Sequence, residues 1–193
     1  MFDAVCLASG GLDSTLCLHL LRERGLRALP LYVHYGQRNH SKEWGALSAA
    51  CKRNSFARPI KFEFSSFGRI IRSGLTGRDL RVNEDAFTPT RNLLFLVLAG
   101  AVASSKGARN IVIGLLAERT TIFPDQSDRF LRAAEIALNE AIGSTVQIHC
   151  PLRDLTKREV VKLARLSGIS NFYSCHSGTK RPCGRCIACL EYK

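Results

Sequence analysis

A short loop near the start of the chain combines residue types that bind phosphate. It lies between a mostly apolar run at residues 2–8 and a helical pattern that begins at residue 14. Its residues are Ser9, Gly10, Gly11, Leu12, Asp13, Ser14 and Thr15. A glycine turn before a helix presents free backbone N–H groups and the positive end of the helix dipole to an anion. The sequence therefore predicts a phosphate-binding loop, with an ordinary glycine turn as the alternative.

The spacing within this loop excludes two common nucleotide-binding motifs. A Walker A loop, GxxxxGK[ST], requires a lysine that is absent here, and the dinucleotide fingerprint GxGxxG is absent as well. The pattern SGGxDS instead resembles the PP-loop of ATP pyrophosphatases. That resemblance implies cleavage of ATP between its α and β phosphates, with the pyrophosphate held in the loop.

Four of the eight cysteines form a second candidate site, with the spacing C-x7-C-x2-C-x2-C. They are Cys175, Cys183, Cys186 and Cys189. Four thiolates at this spacing suit one tetrahedral ion, so we predict a structural zinc site, with an iron–sulfur cluster or free thiols as alternatives. His176 is expected to be a bystander. The other cysteines lie among apolar residues and are predicted to be buried thiols: Cys6, Cys17, Cys51 and Cys150.

Alternating apolar runs and helical patterns predict an α/β fold that positions both sites. Strands are expected at residues 2–8, 29–33, 59–64, 110–114 and 146–149, and helices from residue 14 and at 41–54, 91–106, 128–142 and 157–166. Ser41 is a candidate N-cap, whereas residues 65–90 and 115–127 show no clean period. This order predicts a parallel sheet covered on both faces, with ligands at the carboxyl ends of its strands. Residues 1–170 would form the ATP-binding domain, and residues 171–193 a zinc-binding segment.

Composition limits the remaining possibilities. The chain has 193 residues with 28 Lys and Arg against 16 Asp and Glu, a net charge of +12. A solvated surface with phosphate sites and a nucleic-acid-binding surface explain this charge equally well. No apolar run approaches the roughly 20 residues of a membrane span, and no export signal is visible, so we expect a cytoplasmic protein without a membrane partner.

Further motifs, in chain order, make the sequence similar to the 7-cyano-7-deazaguanine synthases, the QueC-like branch of the PP-loop enzymes. They are HYGQR at 34–38, SKE at 41–43, PTRN at 89–92, FPD at 123–125, PLRDLTK at 151–157 and the four C-terminal cysteines. The resemblance covers almost the whole length. It implies a PP-loop fold that ends in a zinc knuckle with four cysteine ligands.

The resemblance also implies a reaction. Enzymes of this branch use ATP and Mg²⁺ to adenylate the carboxylate of 7-carboxy-7-deazaguanine. Ammonia then gives the amide, and a second activation and dehydration give the nitrile. Related enzymes tend to be dimers, so a homodimer is expected.

Residue roles follow from the same resemblance. The loop at residues 9–15 would hold the phosphates, and Asp13 would place Mg²⁺ or orient the loop. Arg91 and Asn92 would contact nucleotide or substrate, and Lys157 would bind phosphate unless it is a solvated first-turn lysine. The nucleotide site would include Tyr35, Gly36, Gln37 and Arg38, although a surface loop is the alternative for Gln37 and Arg38. The substrate site would include Glu118, Phe123 and Asp125.

Two departures from the family pattern bear on the substrate. Thr90 stands where the family usually has a glycine, and the stretch at 117–127 keeps Pro124 and Asp125 but lacks the family's following cysteine and arginine. Three functions therefore remain open. They are the nitrile synthase, a paralogue that joins a related carboxylate to an amine on a protein or nucleic acid, as in a defence system against phage, and a non-catalytic nucleotide-binding module.

Overall fold

Five parallel strands form the single sheet of the computed structural model, which describes residues 1–117 and 123–192. The strands are β1 (Ala4–Leu7), β2 (Ala28–His34), β3 (Ile60–Glu63), β4 (Asn110–Val112) and β5 (Gln147–His149). Their order is β3-β2-β1-β4-β5, and every neighbouring pair is parallel. This confirms the predicted α/β fold with a parallel sheet.

Seven α-helices and one short 3-10 helix (Pro124–Gln126) are found in the described part of the chain. The α-helices are α1 (Leu12–Glu23), α2 (His40–Arg53), α3 (Ser66–Ile70), α4 (Arg91–Lys106), α5 (Asp128–Ile142), α6 (Lys157–Leu166) and α7 (Ile187–Leu190). The bounds of α4 and α5 match the prediction, whereas α1 begins two residues earlier than expected. The prediction of Ser41 as an N-cap is wrong, because α2 begins at His40 and the residue before it is Asn39. None of the described helices is both long and apolar enough to cross a bilayer.

Alternating side chains of β1 build a separate core on each face of the sheet. Ala4 and Cys6 pack in the core formed with α1, α2 and α6, whereas Val5 and Leu7 pack in the core formed with α4 and α5. Successive residues of a strand point to opposite faces, so a fully buried strand must be apolar throughout. Cys6, Cys17 and Cys51 are buried as predicted, while Cys150 is half-buried.

The strand order creates a crevice beside β1. The chain runs outward from β1 through β2 to β3, and then crosses to place β4 on the other side of β1. Loops that follow β1 and β4 therefore leave the sheet in different directions, which opens a ligand site at the carboxyl edge. The phosphate-loop candidate follows β1 and Gly114 follows β4, so both lie at this crevice.

Helix α6 begins with a capping box formed by Thr156 and Glu159. Thr156 Oγ1 accepts a hydrogen bond from the Glu159 N–H, and Glu159 accepts one from the Thr156 N–H at 2.7 Å. These bonds satisfy backbone donors that the helix itself leaves unpaired. The capping box therefore fixes the start of α6 and with it Lys157, the first residue of the helix.

Thr90, which immediately precedes α4, has a left-handed backbone conformation with a φ of +61°. This conformation is strained for a β-branched residue and relaxed for glycine. The glycine expected at this position from the family pattern therefore has a physical reason in the structure. Here the strain lies directly beside Arg91 and Asn92.

Thr90→Gly is expected to raise the free energy of unfolding by about 1 kcal/mol, because it removes the left-handed strain. The corresponding rise in melting temperature is about 2–4 °C for a chain of this length. Thr156→Gly is the matched control, because Thr156 also precedes a helix but has a φ of −77° and a capping bond. It should lower stability by a few tenths of a kcal/mol, about the cost of losing a cap to glycine. If the melting temperatures of both variants change in the same direction, the result contradicts the strain at Thr90.

Candidate active site

The phosphate-loop candidate turns at Gly10, which has a φ of +79°. A Cβ atom on Gly10 would lie 2.6 Å from the carbonyl oxygen of Glu43 and 2.6 Å from the backbone nitrogen of Leu47. The Gly10 carbonyl accepts a 2.9 Å hydrogen bond from the N–H of Tyr173. The loop therefore packs without intervening side chain against α2 and against the segment that follows α6.

Hydroxyl groups hold the loop in shape below this turn. Ser9 Oγ accepts a 3.2 Å hydrogen bond from the Gly11 N–H, and Ser14 Oγ accepts one of 3.2 Å from the Ser9 N–H. Leu12 and Thr15 are buried, so Leu12 can meet a phosphate only through its backbone. The N-terminus of α1 begins directly after Gly11, which leaves its first turn beside the crevice.

Asp13 and Lys157 form the central ion pair of the site, although they are 144 residues apart in sequence. The two carboxylate oxygens of Asp13 lie 2.9 and 2.8 Å from Lys157 Nζ, and Glu191 Oε2 lies 3.0 Å from it. Burial lowers the pKa of Lys157, but the charges of Asp13 and Glu191 outweigh it and raise this pKa above its usual value. Lys157 is therefore a permanent cation at neutral pH. Its side chain is mostly buried and paired with Asp13, so the alternative of a solvated first-turn lysine does not fit the structure.

A cavity of about 250 Å³ lies between the carboxyl ends of β1, β2 and β4. Its walls are largely apolar, with polar groups at one end, and include Leu7, Val33, Tyr35, Phe95, Ile113 and Ser9. The Tyr35 and Phe95 rings are 5.4 Å apart between centroids. An apolar slot with a few polar groups suits a flat heterocycle.

Gln37 organises the polar end of this cavity. Its amide nitrogen donates to Tyr32 Oη at 2.9 Å and to Glu43 Oε2 at 3.0 Å, while its amide oxygen accepts from the Tyr35 N–H at 2.8 Å. Asn39 donates to the other oxygen of Glu43 at 3.0 Å. Burial raises the pKa of Glu43, although these hydrogen bonds oppose the change. Gln37 thus holds the shape of the wall.

A larger cavity of about 630 Å³ continues from the first and reaches the C-terminal segment. The two cavities share eight lining residues, which are Ser9, Asp13, Glu43, Leu75, Arg91, Gly114, Leu115 and His176. Phe123 and Lys157 line only the larger one. Together the cavities form one cleft that places the phosphate loop between two ligand-sized spaces.

Arg91 brings a second positive charge to the cleft. Its guanidinium carbon lies 5.8 Å from the ring centroid of Tyr35 and 5.9 Å from that of Phe95. Arg91 Nε is buried without a hydrogen-bond partner in the described part of the chain. Because a buried donor without a partner is costly, this nitrogen suits an anion that enters the cleft.

Asn92 and Asp125 are joined to each other. Asn92 Nδ2 donates a 3.0 Å hydrogen bond to the carbonyl oxygen of Asp125, and both side chains are buried. Asn92 lines the smaller cavity, while Asp125 lies behind it and lines neither cavity. Asp125 therefore positions the start of α4.

Gly36 and Arg38 are predicted site residues that, like Asp125, line neither cavity of the cleft, and the same holds for Gly10, Leu12 and Thr15 of the loop. Arg38 points away from it and donates to the carbonyl oxygens of Gly77 and Leu80. Gly36, with a φ of +94°, forms the turn between Tyr35 and Gln37. Glu118 lies outside the described residues. The roles assigned to these and the other site residues remain predictions.

The four C-terminal cysteines form a cluster that could hold a metal ion. Their four sulfur atoms lie within 4.8 Å of one another. The N–H groups of Cys183 and Cys186 donate to Cys175 Sγ and Cys183 Sγ, each at 3.4 Å. Burial raises the pKa of Cys183, but hydrogen bonds from Ser177 and from backbone N–H groups lower it to about 6. The donor set and its spacing fit a tetrahedral thiolate site.

Residues that sequence reasoning did not assign include Glu43, His176 and Glu191, which line the cleft, and Tyr192, which lies beside Lys157. Glu43 belongs to the SKE motif, so its position carried a signal, whereas His176 was visible only as a neighbour of Cys175. Nothing in the local pattern marked Glu191 or Tyr192. The ring of Tyr192 lies 5.2 Å from Lys157 Nζ, a contact made only by the fold.

The cleft has the parts that nucleotide activation needs. A helix N-terminus and two cations, Arg91 and Lys157, face the space beside the phosphate loop, and an apolar slot adjoins it. Such groups stabilise negative charge that develops on a departing phosphate. The geometry therefore supports chemistry on a bound nucleotide.

Comparisons with known proteins agree with this geometry. The sequence model of a family described as "Queuosine biosynthesis protein QueC" matches residues 3–193. A 7-cyano-7-deazaguanine synthase of Campylobacter concisus is 30% identical over 203 residues, covering 98% of this chain and 91% of that protein. A protein of the same name from Laribacter hongkongensis is 32% identical and covers 97% of this chain and 86% of its own. These matches confirm the resemblance inferred from the motifs.

Solved structures share the fold at low identity. A 4-thiouridine synthetase in complex with RNA and ATP has a TM-score of 0.59 at 16% identity, covering 98% of this chain and 48% of that one. The U34-tRNA thiolase NcsA of Methanococcus maripaludis, with its [4Fe-4S] cluster, has a TM-score of 0.59 at 15% identity, covering 93% and 62%. At these identities the likeness supports the fold alone.

Gly10→Ala is expected to lower the free energy of unfolding by more than about 2 kcal/mol, because the added Cβ meets backbone atoms and φ is positive. Gly25→Ala is the matched control: Gly25 has a φ of +71°, but nothing lies within 4 Å of its added Cβ. The control should lose only about 1 kcal/mol through backbone strain. Equal losses in chemical denaturation show that the close packing around Gly10 is not needed.

Proposed function

Because the chain belongs to the QueC family, we propose that it uses ATP to convert 7-carboxy-7-deazaguanine and ammonia to 7-cyano-7-deazaguanine. The single observation that carries this proposal is the cleft in which the phosphate loop faces Lys157 and Arg91. Relatives that bear this activity in their names match the chain over nearly its whole length. An ATP-dependent enzyme fits the cleft better than a passive nucleotide-binding module, because its cations face the loop.

ATP would bind across the two cavities. The adenine would occupy the apolar slot beside Tyr35, and the phosphates would meet the N–H groups at the start of α1. Lys157 would exchange its contact with Glu191 for a phosphate while it keeps Asp13. The raised pKa of Lys157 keeps its charge during this exchange.

The first chemical step would activate the carboxylate. One carboxylate oxygen of the deazaguanine attacks the α phosphorus of ATP, and the bond from that phosphorus to the bridging oxygen breaks. Pyrophosphate leaves with the electron pair, and Arg91 and Lys157 stabilise its added charge. The carbon now carries AMP, a good leaving group.

Two further steps would complete the nitrile. Ammonia attacks the activated carbon, a proton is lost, and AMP leaves with its oxygen to give the amide. A second ATP adenylates the amide oxygen with release of pyrophosphate. Loss of this AMP and of the two amide N–H protons leaves the carbon–nitrogen triple bond. The cleft walls formed by Phe123 and the C-terminal segment would limit competing attack by water.

Two metal ions have proposed roles. Mg²⁺ would be held by the ATP phosphates and the Asp13 carboxylate, and it would neutralise phosphate charge when bound. Zn²⁺ would be held by Cys175, Cys183, Cys186 and Cys189. All four ligands come from the protein, so this site has a structural role.

A second function is favoured by one sequence observation. Gln126 and Ser127 stand where the family pattern has cysteine and arginine, and Gln126 lines the larger cavity. A changed acceptor wall suits a paralogue that joins the activated carboxylate to an amine other than ammonia. The same assay separates the two functions by their products.

The purified protein, incubated with ATP, Mg²⁺, ammonia and 7-carboxy-7-deazaguanine, is expected to form AMP and the nitrile, measured by mass spectrometry. Lys157→Met should lower kcat/KM by about 100-fold, because it removes a cation that stabilises the leaving pyrophosphate. Lys162→Met, which changes an exposed lysine of the same helix, should change kcat/KM by less than about twofold.

The products decide between the proposals. AMP with the amide or an adduct of another amine, but no nitrile, supports the paralogue. Absence of AMP with every acceptor supplied contradicts both enzymatic functions.

Elemental analysis of the purified protein is expected to find about one zinc per chain. Cys186→Ser should lose this zinc and lower the melting temperature, because the metal would link the chain segments that carry the four cysteines. Cys150→Ser, a change at a half-buried thiol outside the cluster, should retain the zinc. The prediction is contradicted if the metal is iron, or if both variants contain equal amounts of zinc.

A further inference from the structure

Arg38 belongs to the HYGQR motif, but its side chain lines a separate cavity of about 730 Å³. The described lining residues of this cavity come from residues 38, 78, 80–83, 177–179 and 185. None of them lines either cavity of the active-site cleft. This cavity is therefore separate from the active-site cleft.

The described lining of the cavity contains four arginines and no acidic residue. They are Arg38, Arg78, Arg81 and Arg185. Arg81 pairs with Glu84. Neither Arg78 nor Arg185, which are both exposed, forms an ion pair with another residue in the described part of the chain. Lys180 and Arg181 follow the lining residue Thr179 and are also exposed. The cavity is thus a concentrated positive site.

Arg38, which lines this cavity, has one donor atom without a hydrogen-bond partner among the described residues. It donates to two backbone carbonyl oxygens, those of Gly77 and Leu80, but Nε is buried with no partner among the described residues. Burial, and then the charge of Arg78, lower the pKa of Arg38, while the charge of Asp79 opposes this change. A bound anion would provide a partner and reduce this repulsion.

We propose that this cavity binds the phosphodiester backbone of a double-stranded nucleic acid. The planar guanidinium group matches the oxygens of a phosphate, so four arginines around one cavity suit consecutive phosphates. No aromatic residue lines it in the described structure, so stacking on unpaired bases, as single-strand binders use it, has no platform here. Contacts to the nucleic-acid backbone alone do not require a stacking platform.

The exposure of the arginines favours a large ligand over a small anion. Arg78 and Arg185 are exposed, so their side chains can reach a ligand that extends beyond the cavity. The net charge of +12 adds long-range attraction to a polyanion. A peptide rich in carboxylates would share this attraction, but it would not match the phosphate geometry as closely.

Fluorescence anisotropy with labelled duplex DNA and duplex RNA of the same sequence, each of about 20 base pairs, tests the proposal. The full-length protein is expected to bind at least one duplex. Arg78→Gln with Arg185→Gln should weaken this binding by about tenfold and reduce the slope of log K against log salt by about 2. Arg24→Gln with Arg58→Gln is the control, because it changes two exposed arginines outside the cavity and gives the same net charge.

The control variant should retain the affinity and salt slope of the unchanged protein. Equal loss in both double variants overturns the proposal, because it shows binding by diffuse surface charge. Failure to bind either duplex overturns it as well, as does equally effective displacement by inorganic pyrophosphate or by a polyaspartate peptide. Circular dichroism and thermal unfolding of the variants verify the fold. Binding is measured without ATP, so the result stands apart from the proposed synthase activity.

Discussion

The close packing around Gly10 is the constraint on which the arrangement of the cleft depends. At this residue the phosphate loop meets the backbone of α2 on one side and accepts a hydrogen bond from Tyr173 on the other. No side chain fits between these backbones. The shape of the loop, the position of α2 and the course of the C-terminal segment are therefore coupled through one residue. A small displacement of any of them would move the N–H groups at the start of α1, beside the cleft.

Charge in the cleft is balanced before any ligand arrives. Lys157 lies between the carboxylates of Asp13 and Glu191, and burial makes these contacts stronger than they would be in water. Arg91, in contrast, rests on two aromatic rings and keeps a nitrogen without a partner among the described residues. The two cations thus differ in their surroundings. Lys157 is held by two carboxylates, whereas Arg91 has a donor atom available for a ligand.

Local patterns in the sequence were enough to predict the strands, most helices and the two chemical motifs. The period of α5, the capping box of α6 and the spacing of the cysteines each depend on residues close together in the chain. What escaped prediction depends on distant residues. The direction of Arg38 follows from carbonyl groups at 77 and 80, and the role of Tyr192 follows from its approach to Lys157. The N-cap predicted at Ser41 is wrong for a different reason. Asn39 precedes α2 instead, and its side chain donates hydrogen bonds to Glu43 and to the carbonyl oxygen of Cys175.

The contact between the phosphate loop and the C-terminal segment has a consequence for biosynthesis of the protein. A nascent chain that has emerged only as far as β5 contains the whole loop and both of its flanking elements. It lacks Lys157, which neutralises Asp13, and Tyr173, which bonds to Gly10. Contacts this distant in sequence form late, because the intervening chain must first be ordered. During translation the sheet can therefore assemble before the contacts that complete the cleft.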